Sequence, residues 1–238
     1  MIVRTMLALS LLALPAHADT TAVYTVGHDD FAMTMTIEIA DTGEVRVQMG
    51  GPMLEKMPKG VAIYAIFRDG EDFTINETPE GASVIRMSDA MTVMAEHRAK
   101  AKQAFGTGDA TIPEVELVSR GEQTVNGRTG TAFYERGDGK TEEPMLVVSQ
   151  DPALAQLGRE MARRFAKSVG GMQAMGMPVF GDSMLKALDG GAPLAFAGLA
   201  KLQSVRHDPV PVARFVLPAQ PKTLDETRAL MNLNPPAP

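Results

Sequence analysis

The sequence predicts an α+β fold: a curved antiparallel sheet (an open half-barrel) with helices packed on its concave apolar face. Three observations predict it. Several segments alternate strictly between apolar and polar residues, turn signals join these segments in pairs, and two longer segments repeat apolar residues every three or four positions. An antiparallel sheet with helices gathered on one side buries one apolar face of each element. No repeat or linker divides the chain, so we expect one domain over residues 19–232.

Strand signals run along most of the chain. In residues 31–39 every second residue is apolar, and the residues between are small or polar. The turn signal at 41–43 leads into a second alternating segment at 44–49, which predicts a hairpin. Further strands are predicted at 61–68 paired with 71–76, at 83–87, at 114–120 leading through Asn126-Gly127 to 128–136, at 144–150, and at 199–207 paired with 212–217.

Two amphipathic helices interrupt the strands. Residues 89–105 have apolar residues at helical spacing. A second helix begins at Asp151, where the aspartate caps the first turn and Pro152 occupies the first helical position. Shorter helical segments are predicted near 183–188 and 222–231.

The second helix has a basic side formed by Arg159, Arg163, Arg164 and Lys167. Two interpretations of this side remain open. It is either a solvated helix face or a surface that meets anionic lipid headgroups or an acidic partner.

Residues 1–18 have the three-part pattern of a secretory signal peptide. Arg4 precedes a nine-residue apolar stretch, and a Pro-Ala-His-Ala sequence then ends at Ala18. Nine residues fall far short of the roughly 20 that a membrane-spanning helix needs. We therefore expect cleavage between Ala18 and Asp19. Because the chain has no cysteine that could be acylated, we expect a soluble periplasmic or secreted protein that does not span a membrane.

Composition narrows the classes of function. The formal net charge is −6, aromatic residues make up 5% of the chain, and tryptophan is absent. This balance argues against a nucleic-acid partner, which favours a basic surface with stacking aromatics. The lack of cysteine excludes disulfides, thiolate metal sites and a thiol nucleophile. Residues 233–238, which include two consecutive prolines, are predicted to form a disordered tail.

The sequence contains no recognisable catalytic constellation. His28 precedes two aspartates in a turn, and His97 lacks the second histidine that a zinc-protease helix requires. Neither a Gly-x-Ser-x-Gly sequence nor a phosphate-binding glycine loop is present. We therefore expect a protein that is not an enzyme and has no cofactor.

Methionine is the one compositional excess, with 17 residues. A local cluster contains Met172, Met175 and Met177. Three interpretations remain open. The thioethers could bind Cu(I), they could form an adaptable apolar surface, or they could simply fill a core.

Three short stretches resemble an uncharacterised exported family that is grouped with the lipoprotein carrier (LolA/LppX-like) superfamily. They are the hairpin at 121–127 with the strand at 129–134, the earlier turn at 68–73, and the closing sequence Phe-Val-Leu-Pro-Ala at 215–219. The resemblance implies an open half-barrel whose concave apolar face, covered by helices, holds lipid or acyl chains. It implies no catalytic residues.

The leading hypothesis is therefore a protein of the cell envelope that binds a hydrophobic ligand, such as an acyl chain, or a lipid-bearing protein partner. A curved sheet with one apolar face forms a groove where its helices cover that face incompletely. The alternatives are a structural or interaction module with a filled core, and the Cu(I) site. The candidate wall residues are Phe31, Met33, Met35, Ile37, Val45, Val47, Ile63, Phe67, Met91, Met94, Leu157, Met161 and Phe165.

The export hypothesis makes a direct prediction about the mature protein. Intact-mass measurement of protein recovered from the exported fraction should give the mass of a chain that begins at Asp19 and carries no lipid modification. A mass that retains residues 1–18 would contradict it. An Ala18→Arg variant should accumulate unprocessed, because a large charged residue does not fit the small-residue cleavage pattern.

Overall fold

The structure, a computed structural model, describes residues 19–28, 32–105, 115–137, 143–174 and 181–233. The predicted signal peptide at 1–18 lies outside these residues, as do Phe31, Met175, Met177 and the tail from 234 onward. The side chain of Met172 also lies outside the described part, so the structure does not bear on the Cu(I) hypothesis.

Eleven strands of the described chain form one antiparallel sheet that is not closed. Their order across the sheet is β6-β5-β4-β3-β2-β1-β11-β10-β9-β8-β7, so β6 and β7 are its two edges. The strands are β1 Thr20–Val26, β2 Met33–Ile39, β3 Val45–Gly50, β4 Ala62–Arg68, β5 Glu71–Thr78, β6 Gly81–Arg86, β7 Leu117–Val125, β8 Arg128–Glu135, β9 Leu146–Ser149, β10 Ala192–Phe196 and β11 Ala200–Arg206.

Helices lie between and after the strands. They are α1 Pro52–Glu55, α2 Met87–Phe105, α3 Ala155–Ala174, α4 Gly181–Leu188 and α5 Leu224–Leu233. The cap predicted at Asp151 is confirmed: its carboxylate accepts a hydrogen bond from the Ala153 amide at 3.0 Å, just before α3. Among the described helices, none combines the length and the apolar character that crossing a membrane requires.

The prediction of a strand at 212–217 was wrong. Residues Val212–Phe215 form a 3-10 helix instead. Prolines at 209, 211 and 218 surround this segment, and a proline has no N–H to donate to a neighbouring strand. β11 pairs with β10 on one side and with β1 on the other.

The sequence reading also missed β1 and β10. β1 directly follows the predicted cleavage site, and β10 contains Pro193, which normally counts against a strand. Pro193 is tolerated because the β9–β10 register is irregular between it and Ala195.

Strand register divides the sheet residues between two faces, because directly opposite residues of antiparallel neighbours point the same way. Ile37 lies opposite Ala22 and Val47, which puts these three on one face. We call it the helix face, because residues of α3 and α4 pack against it. Buried members of this packing include Leu157 from α3 and Met184 from α4.

The opposite face is covered at β4–β6 by the C-terminal segment 209–222, which we call the strap. We call this side of the sheet the strap face. Leu217 and Ala219 of the strap pack there on a buried apolar cluster formed by Tyr64, Ile66, Phe73, Ile75 and Val84. Polar contacts hold the strap at several points along its length. Arg214 makes a bidentate ion pair with Glu38. Arg68 donates to the carbonyl of Phe215, and Arg86 donates to that of Lys222.

The α2 and α5 helices pack on each other at the β6 side of the molecule. Arg228 makes a bidentate ion pair with Glu96 at 2.9 and 3.0 Å, and His97 lies 2.8 Å from the amide oxygen of Asn232. Val93 and Thr227 are fully buried. α2 also contacts β5 and β6, which ties the C-terminal helix to this edge of the sheet.

Helix α3 approaches the sheet most closely at Gly158. A Cβ atom at this position would lie 2.6 Å from the carbonyl carbon of Gly191 and 3.0 Å from the amide nitrogen of Ala192, both backbone atoms at the start of β10. Backbone cannot move aside as a flexible side chain can. The missing side chain therefore sets the distance between helix and sheet.

A Gly158→Ala variant should unfold more easily than the parent protein, because its methyl group pushes α3 off β10. We expect a loss of about 1–3 kcal/mol in the free energy of unfolding, despite the better helix propensity of alanine. Urea denaturation followed by circular dichroism measures it. Arg159→Ala, at an exposed neighbouring position of α3, should stay within about 0.5 kcal/mol of the parent. Equal stability of Gly158→Ala and the parent would refute the close approach.

Candidate ligand-binding face

The structure brings together the sheet residues that the sequence predicted as a ligand-binding wall. Register places them on the helix face of β2, β3 and β4. Met35 lies opposite Tyr24, Val45 lies opposite Phe67, and Val47 lies opposite Ala65. The predicted wall residues on this face are Met33, Met35, Ile37, Val45, Val47, Ile63 and Phe67.

The three predicted wall residues of α3 also reach this face. Leu157 is fully buried in the same core cluster as Ile37 and Val45, and Met161 packs against that cluster. Phe165 packs against a neighbouring cluster formed by β9 and α4. The sequence therefore placed the apolar side of α3 correctly against the sheet.

Met91 and Met94 lie apart from these residues. Both are on α2, whose strand contacts are with β5 and β6. Met91 is half-buried and Met94 is exposed, and neither belongs to the core clusters of the described chain. The structure does not bring these two methionines to the wall on β2–β4.

Burial falls steadily along this face from one end of the strands to the other. Ile39 and Val45, next to the β2–β3 turn, are fully buried. Two and four residues farther along, Val47 and Met49 are half-buried. Ile63, at the far end of β4, is 41% exposed.

The position of α3 explains this gradient. The side-chain amide of Gln156 donates to the carbonyl of Ala40, Arg163 donates to that of Gly43, and Lys167 donates to that of Gly70. All three carbonyls lie in or beside the turns that join β2 to β3 and β4 to β5. The helix therefore crosses the strands near these turns. We call the apolar side chains of β2, β3 and β4 on this face the apolar row, and α3 leaves this row partly open toward Ile63.

Three further residues of this apolar face are not among the predicted wall residues. Val26, Tyr24 and Met49 share it by register. Tyr24 is buried and donates a hydrogen bond to the carbonyl of Pro193 at 2.8 Å, and its hydroxyl lies 3.6 Å from the Met161 sulfur. Burial raises the pKa of the Tyr24 phenol well above its ordinary value. Alternation in 44–49 places Met49 on the same side of its strand as Val45 and Val47, whereas the other two residues belong to β1, which the sequence did not predict.

A polar cavity of about 380 Å³ adjoins the covered end of the face. It lies between α3 and the turns of the β2–β3 and β4–β5 hairpins. Arginine and lysine side chains of α3 line one side, and Glu44, Asp69, Glu71 and Asp72 are among the residues of the other. Three of the four basic residues of α3 therefore meet two hairpin turns, whereas Arg159 is exposed to solvent.

Other chemistry is sparse in the part of the chain that the structure describes. No cluster of three or more histidine and carboxylate side chains there could hold a metal ion. His28 and His97 lie on different elements, the loop after β1 and α2.

No known protein family, curated protein or solved structure matches the chain. The candidate site therefore rests on its own geometry.

The link between Tyr24 and Pro193 predicts a specific loss of stability. Tyr24→Phe should lower the free energy of unfolding by about 1 kcal/mol, because the buried Pro193 carbonyl loses its hydrogen-bond donor. Tyr134→Phe is the matched control, since the Tyr134 hydroxyl has no hydrogen-bond partner among the described residues. Urea denaturation of both variants measures the difference. Equal stability of the two variants would show that the Tyr24 hydroxyl contributes nothing.

Proposed function

We propose that this protein is exported and binds a hydrophobic ligand, such as an acyl chain, on the helix face of its sheet. The observation that carries the proposal is the apolar row that runs out from beneath α3. It is continuous across three strands, and its burial decreases from Val45 through Val47 to Met49 and Ile63. An apolar row that ends half-open beside a covering helix is a typical entrance for a hydrophobic ligand.

The composition of this row supports the same function. Met33, Met35 and Met49 lie on it, and Met161 of α3 faces it. Methionine side chains are unbranched and polarisable, so they adapt to acyl chains of different shape without a large packing cost. The open antiparallel sheet fits the half-barrel that the resemblance to the lipoprotein carrier superfamily implies. In this proposal the helix face is concave, and α3 forms one wall of the groove.

A second function is favoured by a different observation. The core beneath α3 is closely packed, with Ile39, Val45 and Leu157 fully buried. On the strap, by contrast, the apolar side chains of Val212 and Val216 are exposed. These features fit an envelope interaction module that has a filled core and binds another protein through its strap.

The ligand proposal predicts that protein purified from the exported fraction carries lipid. Organic extraction followed by mass spectrometry should release acyl-containing molecules in roughly stoichiometric amount. Delipidated protein should bind a fluorescent fatty acid. Repeated preparations without lipid and without probe binding would overturn the proposal, and a stable cross-linked protein partner would then favour the interaction module.

Two variants separate the face that binds from the face that does not. Ile63→Asp should weaken binding of the fluorescent fatty acid by about tenfold or more, because acyl contact would desolvate a carboxylate. Val216→Asp introduces the same charge on the strap, at a residue that is 53% exposed, and should leave binding unchanged. Both positions are exposed enough for the variants to fold, which circular dichroism checks. Equal binding by the two variants would place the ligand elsewhere.

A further inference from the structure

Three cations of α3 converge on the polar cavity at the covered end of the apolar row. Lys167 donates to the Gly70 carbonyl at 2.7 Å and to Asp72 at 3.0 Å. Arg163 donates to the Gly43 carbonyl at 3.2 Å and to Glu160 at 2.6 Å. Arg164 lies between them, and its side chain is 20% exposed.

Two carboxylates form the ion pairs of these three cations. Glu160 pairs with Arg163 and Arg164, and Asp72 pairs with Arg164 and Lys167. The other charged groups of the cavity have partners of their own. Arg68 pairs with Asp69 at 2.9 Å, Glu71 pairs with Arg86 at 3.3 Å, and the Glu44 carboxylate accepts a hydrogen bond from Thr42. The ion-pair cluster on α3 therefore holds three cations and two carboxylates, while the Glu44 carboxylate, whose Thr42 partner is neutral, balances the charge of the cavity as a whole.

Arg164 is the least satisfied of the three cations. Its distances to the Glu160 and Asp72 oxygens are 3.4 and 3.9 Å, whereas charge-assisted hydrogen bonds are usually about 2.7–2.9 Å long. Its Nε atom is buried and has no hydrogen-bond partner among the described residues. Burial, and repulsion from Arg163, lower its pKa. A buried guanidinium with an unused donor is costly unless an acceptor reaches it.

The position of Arg164 connects it to the apolar row. Its guanidinium lies 4.0 Å above the centre of the Phe67 ring. Phe67, Ala65 and Ile63 follow each other on the same face of β4, at steps of two residues. A strand rises about 6.6–6.8 Å over two residues, so this row extends about 13 Å from the cation to the exposed Ile63.

We propose that Arg164 binds the anionic headgroup of the ligand, a carboxylate or a phosphate, while the acyl chain lies along the row toward Ile63. This inference rests on the proposed function and specifies its ligand class as a single-chain anionic amphiphile. The guanidinium supplies planar paired donors that match both headgroups. Arg163 and Lys167 add positive charge at the same end.

The test compares two ligands that differ only in the headgroup. Isothermal titration of delipidated protein with dodecanoate and with 1-dodecanol measures the contribution of the carboxylate. We expect dodecanoate to bind at least about tenfold more tightly. Arg164→Gln should remove that preference, so that dodecanoate and dodecanol bind to the variant with similar affinity. Arg164→Lys, which keeps the charge but loses the planar donors, should retain part of it.

Control titrations separate the alternative outcomes. Arg159→Gln, at an exposed position of α3, should bind both ligands as the parent does. Acetate and inorganic phosphate alone test whether the cations bind a free anion without the chain, and we expect no measurable binding of either. Tight binding of phosphate alone would overturn the amphiphile proposal in favour of a simple anion site.

The two proposals fail in different ways. If dodecanoate and dodecanol bind with equal affinity, and Arg164→Gln changes neither affinity, the headgroup inference is wrong. Arg164 then only holds α3 on Phe67. If neither ligand binds to any variant while circular dichroism shows folded protein, the hydrophobic-ligand function itself fails.

Discussion

The pairing of β1 with β11 joins two half-sheets that the chain builds separately. On one side of this pair, β2 to β6 follow each other in chain order, with short turns except between β3 and β4, where residues 51–61 include α1. On the other side, β10 to β7 form a second set. Thr21 lies opposite Arg206, so the joining contact is between opposite ends of the described chain. Without it, neither half has a continuous face for α3 to cross. Bringing such distant segments together carries an entropic cost of loop closure.

Helix α3 depends on the β1–β11 pairing because the helix contacts both half-sheets. Near its start it meets β1 and β10, where Gly158 lies against the backbone of Gly191. Near its end it reaches the hairpin turns of the other half through Arg163 and Lys167. Tyr24 connects the same parts, since its hydroxyl contacts Pro193 of β10 and Met161 of α3. The helix therefore lies at the turn ends of the strands, and the far end of the apolar row is left open.

The candidate site combines two environments that meet at Phe67. On one side is an apolar row rich in methionine, and on the other are cations that the neighbouring carboxylates do not fully satisfy. Each has a structural explanation by itself, since apolar rows build cores and cations stack on rings. In the function proposed above, their direct contact serves a ligand with one apolar and one charged end. The strap covers the opposite face of β4–β6 with Leu217 and Ala219 and is held by Arg214, whereas on the helix face the sheet residue Ile63 is exposed.

The sequence by itself determined those local elements in which the periodicity or the turn signal is strong, together with their apolar side. Alternation in 31–39 and 44–49 predicted which side of β2 and β3 is apolar, and the spacing of Leu157, Met161 and Phe165 predicted which side of α3 packs inward. The tertiary structure alone decided how these sides meet. The strand β1, the use of Pro193 in a strand and the strap at 212–217 depend on partners far away in the chain, which periodicity cannot report. The charge of Arg164 was visible in the sequence, but its place on Phe67 was not, because a contact between a helix and a distant hairpin depends on how the whole sheet assembles.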